Sequence, residues 1–326
     1  MRLLILSFGL AYICEASRGD NTVYYHRCTK DCREAHDCPD SFSSYGWSYG
    51  ECFRCKNKCM WETVEIFESH VGYVPQFHGK WPFVAIDVDC PFGFFHCIIQ
   101  EPASVVFSLM NLMTFTYMDT RVRNMRNLEN RDAWLALTRI GMATWVSSTL
   151  FHARDFTVTE YMDYFSAFAF VLVTLYTSLR FVYPQLTYTG NGRRLNKFLI
   201  AGLIIWYVGH VCFMLKKFLY GFNMAVCIGC SVVSALVYCY HIYSRYRDYG
   251  SFRPSDIALI RVLVWMNAAV VLEILDFVPV FWIFDSHSLF HLATVPVPFW
   301  YCDFLEQRQS EMVDFTKKLV EVDKRV

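Results

Sequence analysis

Five side chains in this sequence have the types and spacing to do chemistry together. Ser148 and His152 stand at i and i+4, His287 and His291 repeat that spacing, and Asp163 lies eleven residues beyond His152. Residues four apart share one face of a helix. His287 and His291 can therefore turn two imidazoles toward one ion, and His152 can supply a third. Three neutral imidazoles with one open position form a donor set for catalytic zinc, and such ligands suit Zn2+ better than calcium or magnesium. Asp163 could take up and relay the proton of an attacking water, and Ser148 could orient that water or donate to a developing oxyanion. Each piece also has a plainer reading. A His-x-x-x-His pair arises from interhelical hydrogen bonding, a lone serine bonds back to its own helix, and a lone aspartate caps a helix. Asp285 is either a cap or a carboxylate orienting His287. Glu273 and Asp276 either reach the site or pair with Arg261 and Arg139.

What favours the joint reading is depth, and depth is set by the elements that carry these residues. The chain has 326 residues, 55% hydrophobic and 18% aromatic, with only 18% charged. Soluble chains run at about 25% charged. The apolar surplus falls in blocks, so the expected fold class is an all-α membrane protein, a seven-transmembrane helix bundle with an N-terminal cysteine-rich luminal domain. The blocks run roughly over 103–118, 134–152, 161–183, 197–214, 219–241, 257–276 and 283–303. Pro296 and Pro298 in the last are tolerable where neighbouring helices satisfy the backbone. Thirty basic residues balance thirty acidic ones, which leaves no field to favour nucleic acid as a partner.

Loop charges orient the bundle. Arg121, Arg123, Arg126 and Arg131 share one side with Arg193, Arg194, Lys197, Arg245, Arg247 and Arg253, while the other side offers Arg154, Lys216 and Lys217. The richer side is expected in the cytosol. The start of the chain agrees, because Arg2 and the apolar run Leu3–Ile13 read as a signal peptide over 1–16. A luminal disulfide-rich domain is expected over 17–102, a seven-helix transmembrane domain over 103–304 and a cytosolic tail over 305–326. In that topology Ser148, His152, Asp163, His287 and His291 all lie within about two turns of the luminal surface. Ionisable groups inside spans are costly and so mark function.

Eight cysteines, Cys28, Cys32, Cys38, Cys52, Cys55, Cys59, Cys90 and Cys97, fall in the luminal segment and read as a disulfide framework of unresolved pairing. Cys52-x-x-Cys55-x-x-x-Cys59 also has zinc-ligand spacing, which an oxidising lumen disfavours. His210 reads as a core histidine, and Cys227 and Cys230 as small packing residues.

The Ser148/His152, Asp163 and His287/His291 constellation resembles the signature of the CREST superfamily of seven-helix proteins, which includes alkaline ceramidases and adiponectin-type receptors. The luminal cysteines, the segment Gly79–Phe83 and the run Asp285–His291 are similar to the Per-like family within it. That resemblance implies a GPI-specific phospholipase A2 that removes the sn-2 acyl chain from the phosphatidylinositol of GPI-anchored proteins. It implies Zn2+ as cofactor on His152, His287 and His291, with Ser148 and Asp163 at the remaining signature positions. GPI-anchored proteins would be the substrates, membrane lipid the surroundings, and the Golgi membrane or endoplasmic reticulum the location. A ceramidase-like amidase, and a non-catalytic receptor or cargo adaptor with structural zinc, are the competing readings.

Overall fold

The computed structural model describes residues 18–89 and 96–323. The expected signal peptide, Cys90 and the side chain of Cys97 lie outside that description. The chain divides into two compact units. One comprises the described residues up to Phe107 with Ser147–Asp163 and Leu272–Leu289; the other comprises Ser108–Val146, Tyr164–Val271 and the chain from Phe290 onward.

The first unit is built on a helical hairpin, α1 (Val23–His36) and α2 (Gly50–His70). Thr22 starts α1 by accepting from Tyr25 N, and Asp37 ends it in the left-handed region. Cys28 and Cys32 are four apart on α1, as are Cys55 and Cys59 on α2. Two antiparallel helices with that spacing can be laced in register, and they are: Cys28 pairs with Cys59, Cys32 with Cys55, and Cys38 with Cys52 below them. The Sγ atoms of Cys28, Cys32 and Cys59 cluster because two bridges cross side by side, so the thiolates a zinc ion needs are absent there. Tyr25, Trp47, Val64 and Phe77 close a small core around the sulfurs. Strands β1 (Ile86–Asp89) and β2 (His96–Ile99) pair antiparallel with Ile86 opposite Ile99.

Helices account for most of the rest: α3 (Pro102–Asn124), α4 (Arg131–Ala153), α5 (Thr157–Val182), the short α6 (Gln185–Tyr188), α7 (Gly190–Lys216), α8 (Tyr220–Tyr249), α9 (Pro254–Ile274), α10 (Ser286–Thr294) and α11 (Val297–Asp323). Proline opens α3 and α9, where its missing N–H costs no helical bond. Gly250 closes α8 at φ 68°.

Among the described residues, α5, α7, α8 and α9 are long and apolar enough to cross a membrane. Their outer faces fit lipid: Phe198, Ile204, Ile205, Val208 and Phe213 of α7 are exposed. The expected blocks 103–118 and 134–152 lie in α3 and α4. Several of their polar positions, among them Ser104, Ser108, Asn111, Thr138 and Thr144, are buried within the protein. The expected block 283–303 is not one helix. It breaks at Val295–Pro296 into α10 and α11, because a proline inside a helix lacks a donor and clashes with the preceding turn. The core of the second unit brings together Met118, Trp134, Phe181, Tyr238, Leu259 and Phe304. His210 is buried there with Nε2 2.9 Å from Asn223 Oδ1, and Cys230 packs with Phe168 and Leu172. Both match the packing roles expected of them.

Candidate metal centre

Helix α4 places Ser148 and His152 one turn apart near its C-terminus, both buried. Helix α5 begins at Thr157 and carries the half-buried Asp163 within electrostatic reach of His152 and His287. Helix α9 ends just after Glu273. The start of α10 is fixed by a reciprocal cap: Ser288 N donates to Asp285 Oδ1 at 2.8 Å, and Asp285 N donates to Ser288 Oγ at 3.0 Å. That cap puts His287 in the first turn, with His291 one turn further along the same face.

Each histidine is held from behind. His152 Nδ1 lies 2.5 Å from Glu101 Oε2, and His287 Nδ1 lies 2.8 Å from Glu273 Oε2. His291 Nδ1 is 3.0 Å from Ser108 Oγ, while Asn111 Nδ2 donates to the His291 carbonyl at 2.7 Å. An ionised carboxylate only accepts, so it places the ring proton on Nδ1 and makes Nε2 the ligand atom. The rings of His152 and His287 are 5.2 Å apart between centroids. One ligand atom from each of His152, His287 and His291 lies within 4.8 Å of the others, which is the spacing of a group able to hold a metal ion. The donor set fits zinc, with three imidazoles each braced at its far nitrogen.

A charged chain extends behind His152. Lys80 Nζ reaches Glu101 Oε1 at 3.1 Å and Asp155 Oδ2 at 2.8 Å. Burial opposes ionisation of Glu101, but Lys80 and His152 outweigh it and hold the carboxyl well below the usual carboxylate range. Burial likewise opposes the charge on Lys80, yet Asp155 and Glu101 keep its ammonium above its ordinary value. Lys56 on α2 is different. Burial pushes its ammonium down to about 8, with Asp155 resisting and Lys80 adding to the fall.

The carboxylates left open by the sequence now separate. Glu273 orients His287, whereas Asp285 caps α10. Asp276 accepts from Gln76 at 3.0 Å and from the Trp81 indole. Arg261 pairs with Asp303 at 2.6 Å, and Arg139 lies 3.8 Å from Asp119. Sequence reasoning missed Glu101, Lys80 and Ser108. Glu101 had a usable signal: it directly precedes the proline that opens α3, at the same expected depth as His152. Lys80 stood out only as part of the segment Gly79–Phe83, with nothing to tie it to His152, and Ser108 had no signal.

Four span-capable helices make this a multi-pass membrane protein, and its braced histidines give it a candidate metal centre. The sequence profile of the Per1-like family matches residues 43–308, and the chain belongs to that family. It is 30% identical to Post-GPI attachment to proteins factor 3 of Drosophila melanogaster, with 93% of each chain covered. It is 32% identical to GPI-specific phospholipase A2-like PGAP3 of Xenopus tropicalis, covering 91% of this chain and 92% of that one. The Homo sapiens protein of the same name is 31% identical, covering 93% and 92%.

Proposed function

We propose that this protein remodels GPI anchors as a zinc-dependent GPI-specific phospholipase A2, removing the sn-2 acyl chain from the phosphatidylinositol of GPI-anchored proteins. The observation that carries the reading is the second partner behind every histidine, a carboxylate for His152 and His287 and a hydroxyl for His291. Metal-ligating histidines almost always have such a partner on the far ring nitrogen, and here all three have one. The names of the relatives supply the substrate class.

His152, His287 and His291 would hold the metal, whose chemistry when bound is to polarise the ester carbonyl and to acidify water. Glu101 and Glu273 keep the rings fixed and their Nδ1 atoms protonated. Asp163 takes the proton of the attacking water on its carboxylate as the water oxygen bonds to the acyl carbon. Ser148 Oγ–H donates to the carbonyl oxygen as negative charge builds there. The bond between the acyl carbon and the sn-2 glycerol oxygen then breaks, and Asp163 returns its proton to that oxygen. The products are a free fatty acid and a lyso-anchor. The proposal includes seven spans over 103–304, residence in the Golgi membrane or endoplasmic reticulum as the family resemblance implies, and an N-terminal module in the lumen, the orientation that the loop-charge asymmetry supports.

Lipid mass spectrometry of GPI-anchored proteins tests it, in cells lacking the protein and rescued with wild type or His291→Ala. Wild type should restore lyso-type intermediates, and His291→Ala should leave the sn-2 chain in place. Equal rescue by both would move the chain to the receptor or adaptor reading. Cleavage of ceramide amides instead of anchor esters would move it to the amidase reading.

A further inference from the structure

The second unit contains an open cavity of about 1010 Å³ that the hydrolytic reading does not use. Its lining includes Trp134 of α4, Phe181 of α5, Arg308 and Met312 of α11, and Arg126 and Glu129 from the α3–α4 connection. Trp134 and His152 are both on α4, and 152 − 134 = 18 residues at 1.5 Å rise make about 27 Å of helix. An occupant of the cavity is therefore not the ester at the histidines.

Three donors point to what it takes. Arg126 and Arg308 have no hydrogen-bond or ion-pair partner for their guanidinium groups among the described residues. Arg308 lies instead over the Phe181 ring at 5.9 Å. Arg308 Nε and Trp134 Nε1 are buried donors without an acceptor. Buried donors are rarely left unmet in a folded protein. The nearby Arg245 differs in its charge pairing: its Nε likewise lacks a hydrogen-bond acceptor, but its guanidinium is ion-paired with Asp256 at 2.8 Å and Glu311 at 2.6 Å. Glu129 offsets one positive charge, which leaves a net +1 from the two arginines and this carboxylate. Apart from Asn127, Gln309 and Thr316, the rest of the wall is aromatic and aliphatic.

We propose that this cavity is a binding site for an anionic phospholipid, with its phosphate between Arg126 and Arg308 and the start of its acyl chains against Trp134, Phe181 and Met312. Guanidinium groups match phosphate geometry, and an apolar wall opening off a cationic rim accepts an amphiphile where a soluble anion would use only the rim. Buried donors add an acceptor requirement that a lipid phosphate or ester carbonyl meets.

The test is native mass spectrometry of the full chain in detergent, incubated with equal amounts of dioleoyl phosphatidic acid and dioleoyl phosphatidylcholine. Wild type should retain the acid at least about tenfold over the choline lipid, taking a charge-assisted contact as a factor of about ten. Arg126→Gln, a change at an exposed side chain that leaves the core untouched, should lose about tenfold in phosphatidic acid retention. Arg308→Gln should lose at least as much. Met312→Trp, which keeps both arginines and fills the apolar wall, should weaken the lipid but not inorganic phosphate. Equal retention by wild type and Arg126→Gln/Arg308→Gln overturns the site. Complete displacement of the lipid by millimolar inorganic phosphate overturns the lipid as its occupant.

Discussion

Glu273→Gln is the sharpest perturbation of the candidate metal centre, because it keeps the size of the side chain and removes only its charge. Glu273 Oε2 sits 2.8 Å from His287 Nδ1, with the carboxylate side chain 11% exposed and the imidazole 35% exposed. A fixed carboxylate raises the basicity of the ligand nitrogen on the far side of the ring, and losing such a partner typically costs 10–100-fold in metal affinity. That range is about 1.4–2.7 kcal/mol. A bare Coulomb estimate for unit charges 4 Å apart at an effective dielectric of 20 gives about 4 kcal/mol. The exposure of His287 argues for the lower range. Dialysis against graded zinc buffers, with metal read by inductively coupled plasma mass spectrometry, measures the shift directly. Asp285→Asn is the control, since asparagine caps a helix about as well as aspartate, and it should hold zinc within about twofold of wild type. If Glu273→Gln holds zinc as tightly as wild type, or if Asp285→Asn loses as much, then Glu273 is not what braces His287.

Other consequences are equally open to measurement. Glu101→Gln should lower zinc affinity by a similar 10–100-fold factor, read in the same dialysis series; an unchanged affinity would make its contact with His152 purely structural. Lys56 should become half neutral at about pH 8, so its labelling by an amine reagent, followed by peptide mass spectrometry, should climb through that pH. Asp155→Asn should move the climb lower, and a climb beginning well above pH 8 counts against the burial argument. The linked stability has a definite sign: between about 8 and the ordinary lysine value the folded chain binds fewer protons than the unfolded one, so this group's contribution improves as pH rises there. Cys28→Ser/Cys59→Ser opens a bridge with sequence separation 31 and should cost about 3–4 kcal/mol, seen as faster limited proteolysis within α1 and α2. A Cβ at Gly141 would stand 2.5 Å from the Phe115 ring, so Gly141→Ala should cost about 1–3 kcal/mol in detergent unfolding; no loss would mean the ring simply turns aside.

The residues of the candidate centre were legible because chemistry and helical period coincide in them. Ser148 and His152, and His287 and His291, declare a shared face by spacing alone, and Asp163 follows closely in the chain. Their braces were not legible for the opposite reason. Glu101 meets His152 across 51 residues and Ser108 meets His291 across 183, and no local pattern ties such partners together. Glu273 and Asp285 show the same limit from another side: both are acidic residues near His287, and only the turn leading into α10 decides which caps and which orients. The laced cysteines of α1 and α2 were readable as a framework, while their pairing depended on the two helices being antiparallel. The break at Pro296 was visible as a proline but was expected to be absorbed within one span.

The turn between α9 and α10 ties the cysteine-laced hairpin to the carboxylate behind His287. Phe281 and Trp282 both hold positive φ, 56° and 60°, a conformation costly for side chains of their size. They are kept there by the cysteine-laced module: Val84 N donates to the Trp282 carbonyl at 2.9 Å, Trp61 of α2 meets the Trp282 ring edge-on at 5.1 Å, and Gln76 and Trp81 hold Asp276. Glu273 lies just before this turn and His287 just after it. The contacts that hold Phe281 and Trp282 in place therefore also set how that carboxylate meets that imidazole, so a side chain on the cysteine-laced hairpin, Trp61, bears on the geometry of a residue it does not touch.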